Sequence, residues 1–396
     1  MLLAMTIKPF LSHRRDNAAA VARLREALKI HGAGGWKDTE DLRVGEQTRE
    51  AVRRAIFEET GGFIWWGTAS ALGSRFINEV ELPAAFERKA RQPRYPIVPI
   101  FVDIDPGRQC DRDAVHAALG NVGDQLLECN GLIRAGGESA EEFRRRVASR
   151  YVRDAVGALA DGREAEKPIP VAMRALGEVS GDHDLAFDWR SLIDPERRLL
   201  APGATPMIVH ALAGARDAVQ AVFPSPSIVL DLDLPLPLAF LVGYEWRITT
   251  RLRLGVLQRT GSSFSVIWGE GEASVPPEPK RRSLGGAGPT VLEVSCRGGF
   301  GDAGIRYAYQ IGAREVVNLH RPGILGASDL RALARAAADE LRKLNNQGID
   351  KHLLILGPAA LAVFAGAAAN ATGPVKVPFW DGKTFVRPLV VGAPQR

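Results

Sequence analysis

Short apolar segments alternate with amphipathic segments over roughly the first 160 residues, and this alternation limits the fold more than any other feature. Residues 6–11 and 63–66 are apolar and of strand length, whereas residues 17–30 place Val21, Leu24 and Leu28 at helical spacing. Strands that alternate with helices form a parallel sheet with helices on both faces. The sequence therefore predicts an α/β domain over residues 1–160.

A later strand is predicted at 95–102, where the sequence Tyr-Pro-Ile-Val-Pro-Ile-Phe-Val is almost wholly apolar. Proline cannot donate a hydrogen bond to a neighbouring strand, so Pro96 and Pro99 predict an edge or a bulged position. The remaining predicted elements of this half are helices at 46–58, 77–90 and 141–158 and a strand at 126–133.

A polar segment at 161–168 predicts a linker to a second domain over residues 166–396. The segment 276–289 is rich in proline, glycine and basic residues and predicts a mobile surface loop. It divides the second domain into halves at about 166–276 and 290–396. Strands are predicted at 206–212, 227–234, 236–242, 247–257, 263–268, 290–295, 315–319 and 352–356, and helices at 327–344 and 361–370.

Net charge indicates the class of ligand, and cysteine content indicates the state of the thiols. A net charge of +5 over 396 residues favours small anionic ligands such as nucleotides over long nucleic acids. The three cysteines are odd in number and lack CxxC spacing, so we expect reduced thiols and neither a disulfide framework nor a zinc site. No segment has the roughly 20 apolar residues that cross a bilayer, so a soluble cytoplasmic protein is expected.

Four segments of the first half occur in an order typical of one known family. They are Phe10-Leu11-Ser12-His13-Arg14-Arg15-Asp16, Trp36-Lys37-Asp38, Ser74-Arg75-Phe76 followed by Glu81-Leu82, and Pro96-Ile97-Val98-Pro99. Over roughly residues 5–155 they resemble the Toll/interleukin-1 receptor (TIR) domain. The resemblance implies a flavodoxin-like parallel sheet and, as in the enzymatic members, cleavage of NAD with a single glutamate.

Glu81 is the catalytic residue that this resemblance implies. The family has tryptophan where this chain has Phe76, and its glutamate commonly lies four residues further on rather than five. Glu79 is therefore an alternative. The Glu-Leu-Pro-Ala-Ala run at 81–85 favours Glu81, because the family glutamate is usually followed by an aliphatic residue and then alanine.

The chemistry of NAD cleavage explains why one carboxylate suffices. Breaking the bond between ribose and nicotinamide develops positive charge on the ribose, and a nearby carboxylate stabilises that charge. Nicotinamide leaves as a neutral molecule, so no strong general acid is needed. NAD is then the substrate, and neither a cofactor nor a metal ion is expected.

The resemblance also implies four residues that bind NAD: Ser12, Arg14, Trp36 and Asp38. Arginine can pair with phosphate, and tryptophan can stack on a ring. Plainer alternatives stay open, since Ser12 can serve only the loop backbone, Trp36 can be a core residue, and Arg14 can be a solvated surface residue. Asp38 lies in a loop that, in this family, reaches toward a neighbouring TIR domain.

The last third of the chain carries a second resemblance. Residues 290–295, 351–358, 375–380 and the pair Arg387-Pro388 resemble the SAVED domain, in which two CARF-like, Rossmann-like halves surround a cyclic oligonucleotide. Such a ligand needs cations and backbone N–H groups for its phosphates and flat surfaces for its bases. The predicted cyclic nucleotide-binding residues are Ser295, Arg297, Gly298, Arg321 and Trp246.

These ligand residues also have structural alternatives. A glycine-rich loop such as the one after Ser295 forms a turn more often than a ligand cradle, and Trp246 can be a core residue. His352, in an apolar run, is predicted to be a core histidine rather than a ligand.

Together the two resemblances imply an effector of cyclic-oligonucleotide antiphage defence (CBASS) in bacteria. A cyclic di- or trinucleotide, with cyclic tri-adenylate as the expected ligand, would bind the SAVED domain and drive self-association into an oligomer or filament. The TIR domain would then cleave NAD to nicotinamide and ADP-ribose and stop growth of the infected cell. Two alternatives stay open: a non-enzymatic TIR scaffold, and a C-terminal half that hydrolyses the nucleotide. The sequence leaves open the base identity and ring size of the ligand, the assembly geometry, and whether the product is linear or cyclic.

Overall fold

The computed structural model describes residues 6–34, 48–164, 166–178, 181–247, 251–260, 263–296, 302–323 and 325–393. The chain divides into two compact units. The first comprises Met1–Lys167, Ser180–Phe187 and Gly214–Pro224, and the second comprises Pro168–Val179, Asp188–Ala213 and Ser225–Arg396. The chain therefore returns twice to the first unit after entering the second.

The first unit contains a four-stranded parallel sheet. Its strands, in the order in which they pair, are β1 (Pro9–Ser12), β2 (Gly62–Gly67), β3 (Ile97–Phe101) and β4 (Leu132–Ile133). The first three strands are buried along their whole length, as expected for a parallel sheet with both faces covered. The predicted α/β class is confirmed.

The helices of this unit are α1 (Ala18–Ile30), α2 (Thr48–Arg54), α3 (Ala69–Leu72), α4 (Leu82–Arg91), α5 (Gln109–Leu119), α6 (Asn121–Glu128) and α7 (Ala140–Leu159). Helices α1, α2, α4 and α7 lie where the spacing of apolar residues predicts helices. The strand predicted at 126–133 is wrong except for Leu132–Ile133, because residues 126–128 lie in α6. Two π-helical turns, Ala55–Glu59 and Ile77–Glu81, follow α2 and precede α4. Ser139 begins α7 with a capping box, because its hydroxyl accepts the Glu142 N–H while the Glu142 side chain accepts the Ser139 N–H.

The predicted edge position of residues 95–102 is wrong, because β3 lies between β2 and β4. Pro99 is in register with Trp65 of β2. On its other side β4 is only two residues long and pairs with Ile100 and Phe101 alone. Proline is tolerated inside the sheet because the short strand β4 requires no N–H from Pro99.

The described residues of the second unit contain two larger sheets and one two-stranded sheet. Within the first, the strands β5 (Ile169–Arg174), β9 (Ser227–Asp233), β10 (Arg253–Thr260) and β11 (Ser263–Trp268) pair in the order β11-β10-β9-β5. The β10–β11 pair is antiparallel, and the other two pairs are parallel. Between β5 and β9 the chain also forms β6 (Leu185–Asp188), most of which belongs to the first unit, and the antiparallel pair β7 (Ile193–Asp194) and β8 (Leu199–Leu200).

The second of these sheets has six strands in the order β12-β14-β13-β15-β16-β17. Its four inner strands run parallel, and an antiparallel strand closes each edge. The strand bounds are β12 (Lys280–Ser283), β13 (Thr290–Ser295), β14 (Glu315–His320), β15 (Lys351–Leu356), β16 (Val375–Trp380) and β17 (Phe385–Val391).

The loop predicted at 276–289 is partly wrong, because it contains β12. The Arg281 side chain lies 3.2 Å from the Glu315 carboxylate and 2.5 Å from the carboxylate of Glu340, which is buried. These pairs hold a basic segment against the sheet, and the basic side chains suit an edge strand because they discourage further pairing.

The helices that follow β8 in the chain correct two strand predictions. They are α8 (Ala204–Val222), α9 (Leu236–Glu245), α10 (Asp302–Gln310), α11 (Ala327–Asn346) and α12 (Ala359–Ala368). Residues 206–212 and 236–242 were predicted as strands but lie in α8 and α9. A short apolar run cannot distinguish a buried strand from a buried helix, and α9 is buried at every position from Pro237 to Gly243.

Glycines bring α9 and α12 into close contact. A Cβ on Gly243 would overlap the carbonyl oxygen of Val363, and a Cβ on Gly366 would overlap the carbonyl oxygen of Phe240. The two helix backbones therefore approach each other more closely than any side chain at these positions would allow.

No helix in the described part of the chain combines the length and apolar character that crossing a bilayer requires. None of the cysteines Cys110, Cys129 and Cys296 forms a disulfide bond.

Candidate active site and nucleotide-binding loops

Two of the predicted site residues meet at the carboxyl edge of the four-stranded sheet. Ser12 is the last residue of β1, and Glu81 is the last residue of the π-helical turn before α4. The Ser12 Oγ donates a hydrogen bond of 2.5 Å to the Glu81 Oε2, although the residues are 69 positions apart. This length is typical of a hydroxyl bound to a charged carboxylate.

The π-helical turn explains how Glu81 reaches Ser12. Ile77, Val80 and Leu82 are buried in the core, and the Leu82 N–H bonds to the Ile77 carbonyl five residues back. The spacing from Phe76 to Glu81 is one residue longer than the four residues common in the TIR family. A π-helical turn contains one residue more than an α-helical turn and so accommodates this extra residue.

Glu79, the alternative to Glu81, lies elsewhere. Its carboxylate is exposed and accepts hydrogen bonds from Arg75 at 2.6 Å and from Arg49 at 3.4 Å. The hydrogen bond from Arg75 lowers the pKa of Glu79 below its usual value. Glu79 is therefore paired on the surface, whereas Glu81 meets the end of β1.

Further polar residues follow the neighbouring strands at the same edge. The exposed Arg14 donates to the Ser70 carbonyl at 2.9 Å, and Asn17 donates to the Thr68 Oγ1 at 3.2 Å. Asp103, after β3, accepts the Ala69 N–H at 2.8 Å. Ligands of parallel α/β sheets bind at the carboxyl ends of strands.

Asn17, Thr68 and Asp103 were missed by sequence reasoning. The available signal was their position as polar residues just after a strand or in the loop that follows it. The other two predicted NAD-binding residues, Trp36 and Asp38, lie outside the described residues.

In the second unit, Ser295 and Arg321 meet at the carboxyl edge of the six-stranded sheet. Ser295 ends β13 and is in register with His320, which ends the parallel strand β14. The Ser295 Oγ lies 2.9 Å from the His320 Nδ1, and the Arg321 N–H donates to the Ser295 carbonyl at 3.0 Å. The Arg321 guanidinium contacts the Ser274 hydroxyl at 2.5 Å and the Asp329 carboxylate at 2.9 Å.

Strand order makes this edge a candidate ligand crevice. Because β14 lies on one side of β13 and β15 on the other, the direction in which strands are added reverses at β13, and ligands bind beside such a reversal. The Cys296 N–H donates to the Leu356 carbonyl at 3.0 Å across it. His320 directly precedes Arg321 but was not among the predicted ligand residues. The predicted Arg297 and Gly298 lie outside the described residues.

Two protein-family models match the chain. One, described as the TIR domain, matches residues 10–125, and the other, described as the SMODS-associated and fused to various effectors sensor (SAVED) domain, matches residues 211–385. The chain is a TIR–SAVED fusion. Both predicted resemblances are thereby confirmed.

Solved structures resemble the fusion at low sequence identity. The Cap4 SAVED/CARF-domain containing receptor of Acinetobacter baumannii, solved with the cyclic trinucleotide 3′3′3′-cAAA, is 14% identical, with a TM-score of 0.49 over 88% of this chain and 86% of that one. The Moraxella osloensis Cap4 receptor is 12% identical, with a TM-score of 0.45 over 96% and 86%. The TIR domains of the activated Roq1 resistosome are 22% identical, with a TM-score of 0.25 over 36% and 84%. No curated protein matches the chain.

A wide groove of the TIR domain lies away from the Ser12–Glu81 pair. Its volume is about 920 Å³, and its walls include Pro96 and Ile97, at the amino end of β3. Two of its arginines are already paired: Arg150 lies 2.7 Å from Asp154, and Arg94 lies 2.9 Å from Asp161. Because it contains neither Ser12 nor Glu81, this groove is not the candidate active site.

Two further residues of the SAVED domain are buried. Trp246 is 1% exposed, and its Nε1–H donates to the Leu212 carbonyl at 2.9 Å. His352 lies in the core as predicted, with its Nδ1 2.7 Å from the Tyr307 hydroxyl, and burial lowers its pKa to about 4. The Trp246 Nε1–H and the His352 Nδ1 therefore both have hydrogen-bond partners inside the protein.

Proposed function

We propose that this TIR–SAVED protein is an NAD-cleaving effector controlled by a cyclic oligonucleotide. The messenger binds the SAVED domain, protomers associate, and the TIR domain cleaves NAD to nicotinamide and ADP-ribose. The observation that supports this most directly is the hydrogen bond between Ser12 and Glu81 at the carboxyl edge of the TIR sheet. There a carboxylate is held where α/β folds bind nucleotides.

The Glu81 carboxylate supplies the electrostatic part of the reaction. The bond from the ribose anomeric carbon to nicotinamide breaks, and its electron pair stays on the nicotinamide nitrogen. Positive charge develops on the ribose ring and is stabilised by the carboxylate. A water oxygen then bonds to the anomeric carbon and releases a proton, which gives linear ADP-ribose.

Other residues of this edge suit the rest of the substrate. The exposed guanidinium of Arg14 can pair with the pyrophosphate, because arginine binds phosphate oxygens with paired N–H groups. Trp36 and Asp38 remain predicted to bind NAD. NAD is the substrate in this scheme, and the cyclic oligonucleotide is the activator.

Control by the SAVED domain follows from the fusion itself. Constitutive NAD cleavage would kill the host, so activity must depend on a signal made during infection. We propose cyclic tri-adenylate as the messenger and CBASS antiphage defence in the bacterial cytoplasm as the setting. Arg321 lies at the carboxyl end of β14, and Arg297 and Gly298 remain predicted ligand residues. Ser295 is 0% exposed and Trp246 is 1% exposed, so their burial favours structural roles for these two predicted ligand residues.

Nicotinamide release by the purified full-length protein tests the proposal. NAD is incubated with a panel of cyclic di- and trinucleotides, and products are separated by liquid chromatography. We expect nicotinamide and ADP-ribose with at least one messenger, and no NAD loss without it. Absence of turnover with every messenger would favour a non-enzymatic scaffold, and cleavage of the messenger would favour a nuclease.

The choice between the two glutamates is tested with matched variants. We expect Glu81→Gln to lose NAD cleavage while retaining messenger binding. Glu79→Gln makes the same chemical change two residues away, at a carboxylate bound to surface arginines, and is expected to keep full activity. Loss of activity in Glu79→Gln alone would transfer the catalytic role to Glu79.

A further inference from the structure

We infer that Ser12 acts on NAD cleavage by positioning Glu81, and that it does not bind NAD itself. The inference rests on the proposed function of the TIR domain. It changes the role that the sequence implies for Ser12, and two independent observations support it: the burial of Ser12 and the direction of its hydrogen bond.

Burial removes Ser12 from the reach of a ligand. Its exposed fraction is 1%. Phe10, two residues earlier, lies on the same face of β1 and stacks on Phe63 with ring centroids 5.6 Å apart. The same core includes Ile77 and Val80 of the π-helical turn. Ser12 is therefore part of the wall between the sheet and that turn.

The Ser12 hydroxyl already donates its proton to a hydrogen bond within the protein. A serine hydroxyl has one proton, and the Ser12 Oγ donates it to the Glu81 Oε2 at 2.5 Å. Buried hydroxyl groups require such a partner, and a carboxylate is among the strongest acceptors. The bond fixes one oxygen of the Glu81 carboxylate and thereby helps to align the carboxylate before substrate arrives.

This role predicts a selective kinetic effect. A hydrogen bond to a charged group contributes a factor of roughly 10 to 100 to an equilibrium or a rate. Since the aligned carboxylate stabilises charge that develops only in the transition state, its misalignment lowers kcat while KM for NAD changes less than about threefold. A residue that contacted NAD in the ground state would instead raise KM.

Three substitutions distinguish the effect of the Ser12 hydroxyl proton from the effect of the side-chain volume. Ser12→Ala removes the donor, Ser12→Cys keeps nearly the same size with a weak donor, and Ser12→Thr keeps the hydroxyl. The full-length variants are assayed with the activating messenger at saturation, over a range of NAD concentrations. We expect kcat to fall in the order wild type, Thr, Cys, Ala, with a loss of roughly 10- to 100-fold for Ala.

Two results would overturn the inference. One is a raised KM with unchanged kcat in Ser12→Ala, which would return Ser12 to the NAD-binding residues. The other is equal loss in the Thr and Ala variants when the Thr variant melts at the wild-type temperature, which would indicate only a packing role. Melting temperatures of all three variants show whether each is folded, and the Cys variant preserves the comparison if Thr is too large for the site.

The same assay distinguishes this inference from the proposed function. If the wild-type protein cleaves no NAD with any messenger, the proposed function fails and the inference fails with it. If the wild type is active and Glu81→Gln is inactive while Ser12→Ala keeps full kcat, only the inference fails. The Ser12→Ala/Glu81→Gln double variant is expected to have the same residual kcat as Glu81→Gln alone, because Ser12 acts through Glu81.

Discussion

Gly366→Ala is expected to destabilise the SAVED domain, because it separates two helices that meet backbone to backbone. A Cβ at position 366 of α12 would overlap the Phe240 carbonyl oxygen of α9 and would lie 2.8 Å from the Tyr244 nitrogen and 3.0 Å from the Phe240 carbonyl carbon. All three atoms belong to the backbone, so no side chain can rotate away to make room.

The expected magnitude follows from two opposing contributions. Inserting a methyl group into a packed core costs about 1–3 kcal/mol, and this rigid contact belongs at the upper end. Replacing glycine by alanine inside a helix returns up to about 1 kcal/mol. The net loss is about 2 kcal/mol, which corresponds to roughly 4–8 °C in Tm for a domain of this size.

Gly157→Ala is the matched control. Gly157 lies inside α7 of the TIR domain, and a Cβ there would contact nothing within 4 Å. The same chemical change is therefore expected to leave stability unchanged or raise it by up to about 1 kcal/mol. Thermal and urea unfolding are followed by circular dichroism. A Gly366→Ala protein as stable as wild type would refute the close approach of α9 and α12.

Three further predictions concern buried or ligand-facing groups. Because the folded pKa of His352 is about 4, below its unfolded value of 6.5, stability should fall by at most about 3 kcal/mol as pH decreases from about 6.5 to about 4, and His352→Gln should flatten this loss in urea titrations. Asp184→Asn removes the carboxylate that pairs with Arg163, whose side chain is 10% exposed, and should cost about 3 kcal/mol in urea unfolding. Arg321→Ala should weaken messenger binding by roughly tenfold in calorimetry and leave kcat at saturating messenger unchanged.

Each of these has its own control or contrary result. Asp182→Asn removes an exposed carboxylate near Asp184 and should leave stability within about 0.5 kcal/mol of wild type. An identical pH dependence of stability in wild type and His352→Gln would contradict the buried neutral histidine. Full messenger affinity in Arg321→Ala would exclude the Arg321 loop from the ligand site.

Several elements were encoded in local sequence. Helices α1, α7 and α11 have apolar residues at helical spacing, a pattern that indicates a helix whatever packs against it. Their observed bounds lie within two residues of the predicted ones. Strands β2 and β13 are apolar runs ended by glycine, serine or polar residues. Both domain families were likewise predicted, since their motifs are short and keep their spacing.

Other elements depended on packing between distant segments. Residues 236–242 are apolar at nearly every position, so no period distinguishes helix from strand until α12 supplies a surface for α9. Residues 276–289 contain features typical of a loop, yet β12 forms because Glu315 and Glu340 lie where they can pair with Arg281. In each case the deciding contact comes from a segment far along the chain.

By itself the sequence determined which side chains could carry the chemistry: a serine after the first strand and two glutamates near position 80. Only the tertiary structure decided which glutamate meets that serine, because strand pairing, the π-helical turn and the core around Ile77 and Val80 together set the direction of one side chain. That direction depends on residues 69 positions apart, and no local pattern contains it.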